Sequence, residues 1–407
     1  WVYYGNYDWY HTFFSERHPS TQHNVSVSGK TKDVKYYLSG GLDWQKGIIK
    51  TNPDIFRKYN LRSKIDFRIN KWATMSNNTS YYSSQYEFQG DGSVENTMIY
   101  ATRHALACFP QKNPDGTWHY STPYTSYNVA NGRHILVGEG SHRNVNRIND
   151  FSNTTRLVIN PIKQLSITGD FTFRFYQLRN TSRSQNMTYR VYPDEALKSY
   201  VTGAGEDRLD ESVKTRNYLA YNIYATYNDT FADAHNVTIT AGYNNESWKS
   251  KDINVAAGNL SSSALDDLKL ATGFASDNNY GGGQNQYVLS GIFGRVNYDY
   301  KGRYLFEASG RYDGSSRFGR GSRWGFFPSA SLGWRISEES FFAGARDIVD
   351  NLKIRLSYGS LGNQNVSSYY TFLRLVSIKD FDSFTFGDGT IGKYSSLSAP
   401  IADDLTW

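Results

Sequence analysis

The chain has 407 residues, a formal net charge of +6 and 39% hydrophobic residues, and it contains no apolar run of about eighteen residues, which excludes a protein that crosses a membrane on helices. A transmembrane β-barrel stays open, because its lipid-facing residues alternate with polar lumen residues and the two dilute one another. The Lys and Arg residues are spread beside Asp and Glu without forming a basic stripe, so nucleic-acid binding is not expected, and the single cysteine, Cys108, allows neither an intrachain disulfide nor a thiolate metal cluster.

Residues 1–21 are aromatic and aperiodic, and they lack the basic and apolar regions of a signal peptide. Alternation begins over 24–29 and returns over 34–44 across the polar link GKTKD; residues 45–57 carry the turn signal Asn52-Pro53-Asp54. Next, Leu61, Ile65, Phe67 and Ile69 take one parity while Arg62, Lys64, Asp66 and Arg68 take the other. Successive side chains of a strand point to opposite faces, so one face is apolar and the other charged. Arg or Lys on the lipid face costs about 2–4 kcal/mol at the bilayer midplane, which assigns the charged parity to the lumen of a membrane barrel.

A strand over 74–84 returns, and periodicity then disappears until about residue 154. Trp118, Tyr120, Tyr124 and Tyr127 lie in this insertion among Asn, Ser, Gly and Pro, a composition that suits a folded surface loop. Strands follow at 155–160, 165–177, 216–227 and 237–243. The link 245–287 contains LDDLKLATG, read as a short helix.

Over 288–358 the alternation is sustained. Ile292, Val296, Tyr298 and Tyr300 oppose Arg295, Asn297 and Asp299; Lys301-Gly302 turns the chain; Tyr304, Phe306, Ala308 and Tyr312 then oppose Arg303, Glu307, Ser309, Arg311 and Asp313. Leu332 and Trp334, then Ile354, Leu356 and Tyr358, extend the apolar set. A soluble sandwich also alternates, but its strands average about five or six residues, whereas about ten are needed to cross a bilayer. Connections at 30–33, 71–73, 161–164, 228–236 and 301–302 are short. Those at 45–57, 85–153, 178–214, 245–287 and 314–324 are longer, and the two kinds alternate as periplasmic turns and extracellular loops do. The exception, 337–350, reads as a capped helical turn on the short-turn side.

The segment GIFGRVNYDYKGRYLFEASGRYDGSSRFGRGSRWGFFPSASLGWRISEESFF, followed by LKIRLSYGSLGNQN, resembles the barrel of the SusC/RagA-type TonB-dependent outer-membrane transporters of Bacteroidetes. QHNVSVSG at 22–29, KYYLSGG at 35–41 and the terminal DDLTW are similar to landmarks of that family in the same order. The resemblance implies an all-β fold, a partial transmembrane antiparallel barrel from a complete barrel of about 22 strands. Residues 1–21 would be the passage from plug to barrel and 22–407 the barrel, with the plug, the TonB-contacting box and the C-terminal strands outside this sequence. It further implies active import of a large nutrient, an oligosaccharide or sometimes a peptide, across the outer membrane. The partners would be a SusD-like surface lipoprotein and the TonB-ExbB-ExbD complex, with no cofactor.

Within that reading the lumen-facing residues are Arg62, Lys64, Asp66, Arg68, Arg295, Asp299, Arg303, Glu307 and Arg311, and the substrate contacts are Trp118, Tyr120, Tyr124 and Tyr127. Catalysis is not expected. The eight histidines show neither H-x-x-x-H nor H-E-x-x-H spacing, no G-x-S-x-G elbow occurs, and the glycines and arginines of 317–325 are followed by a strand, not the helix start of a phosphate cradle. Asn113-Pro114-Asp115-Gly116 reads as a turn, lacking the rest of a calcium loop. A siderophore or cobalamin receptor and a secreted sugar-binding β-protein are the rival readings.

Overall fold

The computed structural model describes residues 5–89, 94–121, 128–139, 142–200, 207–273, 280–366, 369–374, 376–385, 391–397 and 407. Its main body is one antiparallel sheet. The principal strands are β1 (Ser20–Lys30), β2 (Val34–Lys46), β3 (Ile55–Arg68), β4 (Ala73–Gln89), β5 (Arg143–Ile162), β6 (Leu165–Ser184), β7 (Arg208–Phe231), β8 (His235–Leu260), β9 (Tyr280–Tyr300), β10 (Tyr304–Ser315), β11 (Trp324–Arg335) and β12 (Lys353–Gly359). Each pairs with its predecessor in sequence order, and the short strand Ala271–Gly273 adds to β8. Among the described residues β1 and β12 do not pair with each other, so the sheet is an open, partial barrel.

Register keeps the two chemistries apart. Direct cross-strand partners share a face, and one row of them runs Val34, Phe67, Met75, Leu157, Gly169, Ile223, Tyr243, Ile292, Tyr312, Phe326 from β2 to β11. Among the described residues no second layer covers it. Leu61, Ile223, Ile292 and Phe326 are each more than half exposed, which a water-soluble sandwich would not leave uncovered. The row also measures tilt. Val34 begins β2 at the short-turn end, whereas Phe326 stands nine residues from the short-turn end of β11, Arg335, so the row climbs nine residues over nine strand steps. With a rise of about 3.3 Å per residue and about 4.8 Å between strands, the strands lean about 35° from the axis of a band that stays level, close to the tilt of membrane barrels.

Aromatic residues mark both edges of that band. At the short-turn end His235 lies 4.9 Å from Tyr300, and Tyr300 stacks on Tyr304 at 6.3 Å. At the other end Tyr312 stacks on Trp324 at 5.0 Å. From Trp334 to Trp324 the strand rises about 33 Å, or about 27 Å of height at that tilt, the scale of an outer-membrane apolar band.

The strands run well past the sequence-based boundaries. β4 ends at Gln89, β5 starts at Arg143 and β8 reaches Leu260, so the large insertion spans 90–142 and not 85–153, and the other long loops shrink likewise. Above the band the formerly apolar parity carries Gln85, Arg147, Arg179 and Lys249, so both faces are polar and alternation gives no signal there. Smaller corrections follow. Helix α1 (Trp9–Phe13) forms inside the aperiodic stretch and β1 starts at Ser20. LDDLKLATG holds one 3-10 turn, Leu268–Leu270, before the short strand, and 337–350 holds the 3-10 turns Ile336–Glu338 and Ser340–Ala345. The tight turn at Lys301 and Gly302 is as expected, with φ of 52° and 68°, values that the missing Cβ of glycine makes easy at the second position.

Candidate binding surface at the long-loop end

On the polar face, two neighbouring rows of cross-strand partners meet at the upper edge of the apolar band. One reads Ser152, Arg174, Tyr218, Trp248, Tyr287; the other reads Asp150, Tyr176, Arg216, Ser250, Asn285. Trp248 and Tyr287 stack at 5.6 Å, and Tyr369, from the segment after β12, joins them at 5.2 Å from Trp248 and 6.2 Å from Tyr287, the three rings lying within 20° of parallel. The Arg317 guanidinium caps this cluster, 4.4 Å over Tyr287 and 5.1 Å over Tyr369, and Arg216 lies 5.3 Å over Tyr176. Tyr218 donates to Glu246 at 2.8 Å, and Arg174 makes a two-pronged pair with Asp150 at 2.9 and 2.6 Å. Such a surface offers flat apolar rings framed by fixed donors and acceptors, the chemistry that holds sugars or extended polar chains.

Sequence reasoning missed this cluster, because Trp248 and Tyr287 fell inside the link 245–287 and Tyr369 belongs to a different connection. Their parity was the available signal: Tyr218, Trp248 and Tyr287 continue the polar parity of their strands.

The expected polar-parity residues share one face. Arg62, Lys64, Asp66 and Arg68 stand on β3 beside Ser80, Asn78, Ser76 and Thr74. Arg295 lies 4.0 Å from Glu307, Arg311 pairs with Asp313 at 2.9 Å, and Asp299 accepts from the Gly302 N–H at 2.5 Å. Arg303 departs from the pattern. It occupies the turn before β10, where its guanidinium reaches Glu339 at 3.4 Å, because the chain reverses one residue before the strand begins.

The insertion folds on itself. Helix α2 (Val94–Arg103) and helix α3 (Arg133–Glu139) frame it, and Trp9, Phe13, Phe109, Val129 and Val137 form a buried cluster that ties it to α1. Trp118 and Tyr120 pack, half-buried, against a second cluster of Ile135, Leu136 and Met187. Lys112 lies 4.2 Å over the Trp118 ring, His134 meets that ring edge-on at 5.7 Å, and Tyr120 accepts from Asn128 at 2.6 Å. Burial pushes the His134 imidazole down to about 3, while its Nε2–H donates to the His119 carbonyl at 2.9 Å. Hydrogen bonds from Thr117, and then Arg190, hold Asp115 at about 2 and stitch the turn at 113–117 to the outer segment beyond β6. Tyr124 and Tyr127 lie outside the described residues.

Residues 109–393 match the family described as TonB dependent receptor-like, beta-barrel. The chain belongs to this family. The TonB-dependent receptor SusC of Bacteroides thetaiotaomicron is 27% identical over 436 residues, covering 99% of this chain and 39% of SusC. A TonB-dependent receptor of Formosa agariphila is 27% identical over 392 residues, covering 95% of this chain and 35% of its own length. The structure of the RagAB peptide transporter superposes with a TM-score of 0.74 at 19% identity, over 99% of this chain and 42% of that one. The chain thus spans about two fifths of the length of these TonB-dependent receptors, and the SusC/RagA-type resemblance read from its sequence is borne out.

Proposed function

We propose that this chain forms barrel wall in an outer-membrane, TonB-dependent importer of a large nutrient, an oligosaccharide or a peptide, and that its polar face lines the lumen. The observation that carries the reading is the single-layer sheet itself, with an exposed apolar band sloping across the hydrogen-bond rows and an aromatic and charged surface behind its upper edge. Similarity to SusC along nearly the whole chain supports it. The long-loop end then faces outward. A SusD-like lipoprotein would dock there over the insertion bearing Trp118, Tyr120, Tyr124 and Tyr127, and TonB-ExbB-ExbD would act from the periplasm. In this reading Trp118 and Tyr120 shape the insertion and present their remaining exposed edges to the lid or the substrate, and no covalent step is involved.

The test uses the full-length transporter in its host. Deletion should abolish growth on one nutrient class, loss of TonB should do the same, and an affinity tag on the barrel should recover a surface lipoprotein. Growth unchanged by both deletions across glycans and peptides would sink the proposal. Trp118→Ala combined with Tyr120→Ala, at normal surface abundance, should weaken lipoprotein recovery or growth; no change in either would remove the insertion from the binding surface.

A further inference from the structure

The charges of the polar face do not balance locally. Asp43 pairs with Lys58 at 2.6 Å, Asp150 with Arg174 at 2.6 Å, Asp170 with Arg156 at 2.5 Å, Asp252 with Lys214 at 3.0 Å and Asp313 with Arg311 at 2.9 Å. Glu246 accepts a hydrogen bond from Tyr218, a neutral donor, and has no cation within ion-pair distance among the described residues. The aspartates named here are paired. Arg216 and Arg317 remain, both half-buried, and among the described residues neither has a carboxylate within ion-pair distance. Each lies instead on tyrosine, Arg216 on Tyr176 and Arg317 on Tyr287 and Tyr369, and Arg317 spends one terminal N–H on the Gln364 carbonyl at 3.3 Å. A guanidinium stacked on a ring is held in place and stays charged, with donors left for a planar or tetrahedral anion. Lower on the same face, Arg62 and Lys64 likewise lack an acidic partner within that distance among the described residues, so the excess continues down the wall.

We infer that the mouth selects an anionic oligosaccharide, one bearing carboxylate or sulfate groups, with sugar rings stacked on the Trp248, Tyr287 and Tyr369 cluster and the anion taken by Arg216 and Arg317. The inference rests on the importer reading and narrows its substrate class. Sugars are favoured over peptides because the mouth presents near-parallel ring faces with charge at their margin. Two independent cations flank Trp248: Arg216 stands opposite Ser250, two residues along the strand, and Arg317 caps the rings from the β10 to β11 loop.

The experiment uses the purified full-length transporter and a matched panel: oligogalacturonate and its methyl ester, and a sulfated and an unsulfated galactan oligosaccharide, titrated by calorimetry. At least one acidic member should bind tenfold or more tighter than its neutral counterpart. Arg216→Gln with Arg317→Gln should erase that preference while the purified barrel keeps its heat-modifiable mobility. The double Lys variant should restore part of it, and Trp248→Ala should weaken acidic and neutral members alike. Equal binding of acidic and neutral members, binding of no acidic member, or a preference untouched by the Gln pair would overturn the inference. Uptake measured with and without TonB separates the two failures: TonB-dependent growth on neutral glycans or peptides alone would leave the importer standing and remove the anionic selectivity.

Discussion

Placing Arg at Ile239 tests which face meets lipid and where the membrane lies. Ile239 lies within the apolar band, four residues above His235 on β8, and is exposed between Tyr227 and Val296. A guanidinium there should cost about 2–4 kcal/mol, about 30- to 1000-fold in the folding equilibrium. Thr238, one residue away on the polar face between Asn228 and Asn297, should accept Arg within about 0.5 kcal/mol. Ser247 shares the parity of Ile239 but stands eight residues further along, about 26 Å of strand and about 22 Å of height at a 35° tilt, beside Trp248 at the upper edge of the band. Ser247→Arg should therefore cost no more than about 1 kcal/mol. The assay is reversible urea unfolding of the full-length barrel in lipid vesicles, followed by the heat-dependent gel shift. Equal penalties at Ile239 and Thr238 would refute the facing, and a penalty at Ser247 matching that at Ile239 would refute the position of the band.

Other outcomes follow from single sites. Because burial holds His134 near 3, below the ordinary 6.5, the neutral ring stabilises the insertion above about pH 6.5, and that contribution is lost as pH falls toward 3; amide protection factors across 94–139, corrected for the intrinsic exchange rate, should be lower at pH 5 than at pH 7.5, and His134→Gln should flatten the dependence. Trp118→Ala should loosen the same region by about 2–4 kcal/mol without changing exchange in β7 or β8, since the contacts described above, with Lys112, His134 and the Ile135, Leu136 and Met187 cluster, lie outside those strands. A side chain at Gly242 would meet Tyr224 Cβ at 2.5 Å and the Ile223 carbonyl at 2.8 Å, whereas nothing approaches within 4 Å at Gly169. Gly242→Val should lower stability by about 1–3 kcal/mol in vesicle unfolding, and Gly169→Val should leave it near the parent value.

Legibility followed the solvent. Inside the apolar band the two faces meet lipid and water, so Leu61 to Ile69 and Ile292 to Tyr312 show their facing in the bare sequence, and the short turns fall where expected. Above it both faces meet water. There the strand from Ser247 to Leu260 looks like loop, and the β9 start at Tyr280, with its glycines, looks like linker. What fixes those stretches as strand is a partner: residues 247–255 are hydrogen-bonded on both sides, to β7 and to β9, and that pairing is nonlocal. The same cause hid the mouth cluster. Trp248 and Tyr287 are neighbours only because the β8 to β9 register carries Ser247 to Val288, and Tyr369 joins them from beyond β12.

The slope of the register ties these observations together. A row that begins beside a turn at Val34 and ends near a loop at Phe326 puts the polar residues behind it at every depth of the wall in turn. Arg62 on β3 and Tyr287 on β9 belong to one hydrogen-bond row, yet by the same one-residue-per-strand climb they stand about six residues apart in height. In the importer reading, an anion leaving Arg216 and Arg317 would meet Arg62 and Lys64 at a lower level of the wall and several strands around it. The importer proposed above would use that arrangement, with sites close enough in chemistry to exchange a ligand and far enough apart in height that exchange moves it.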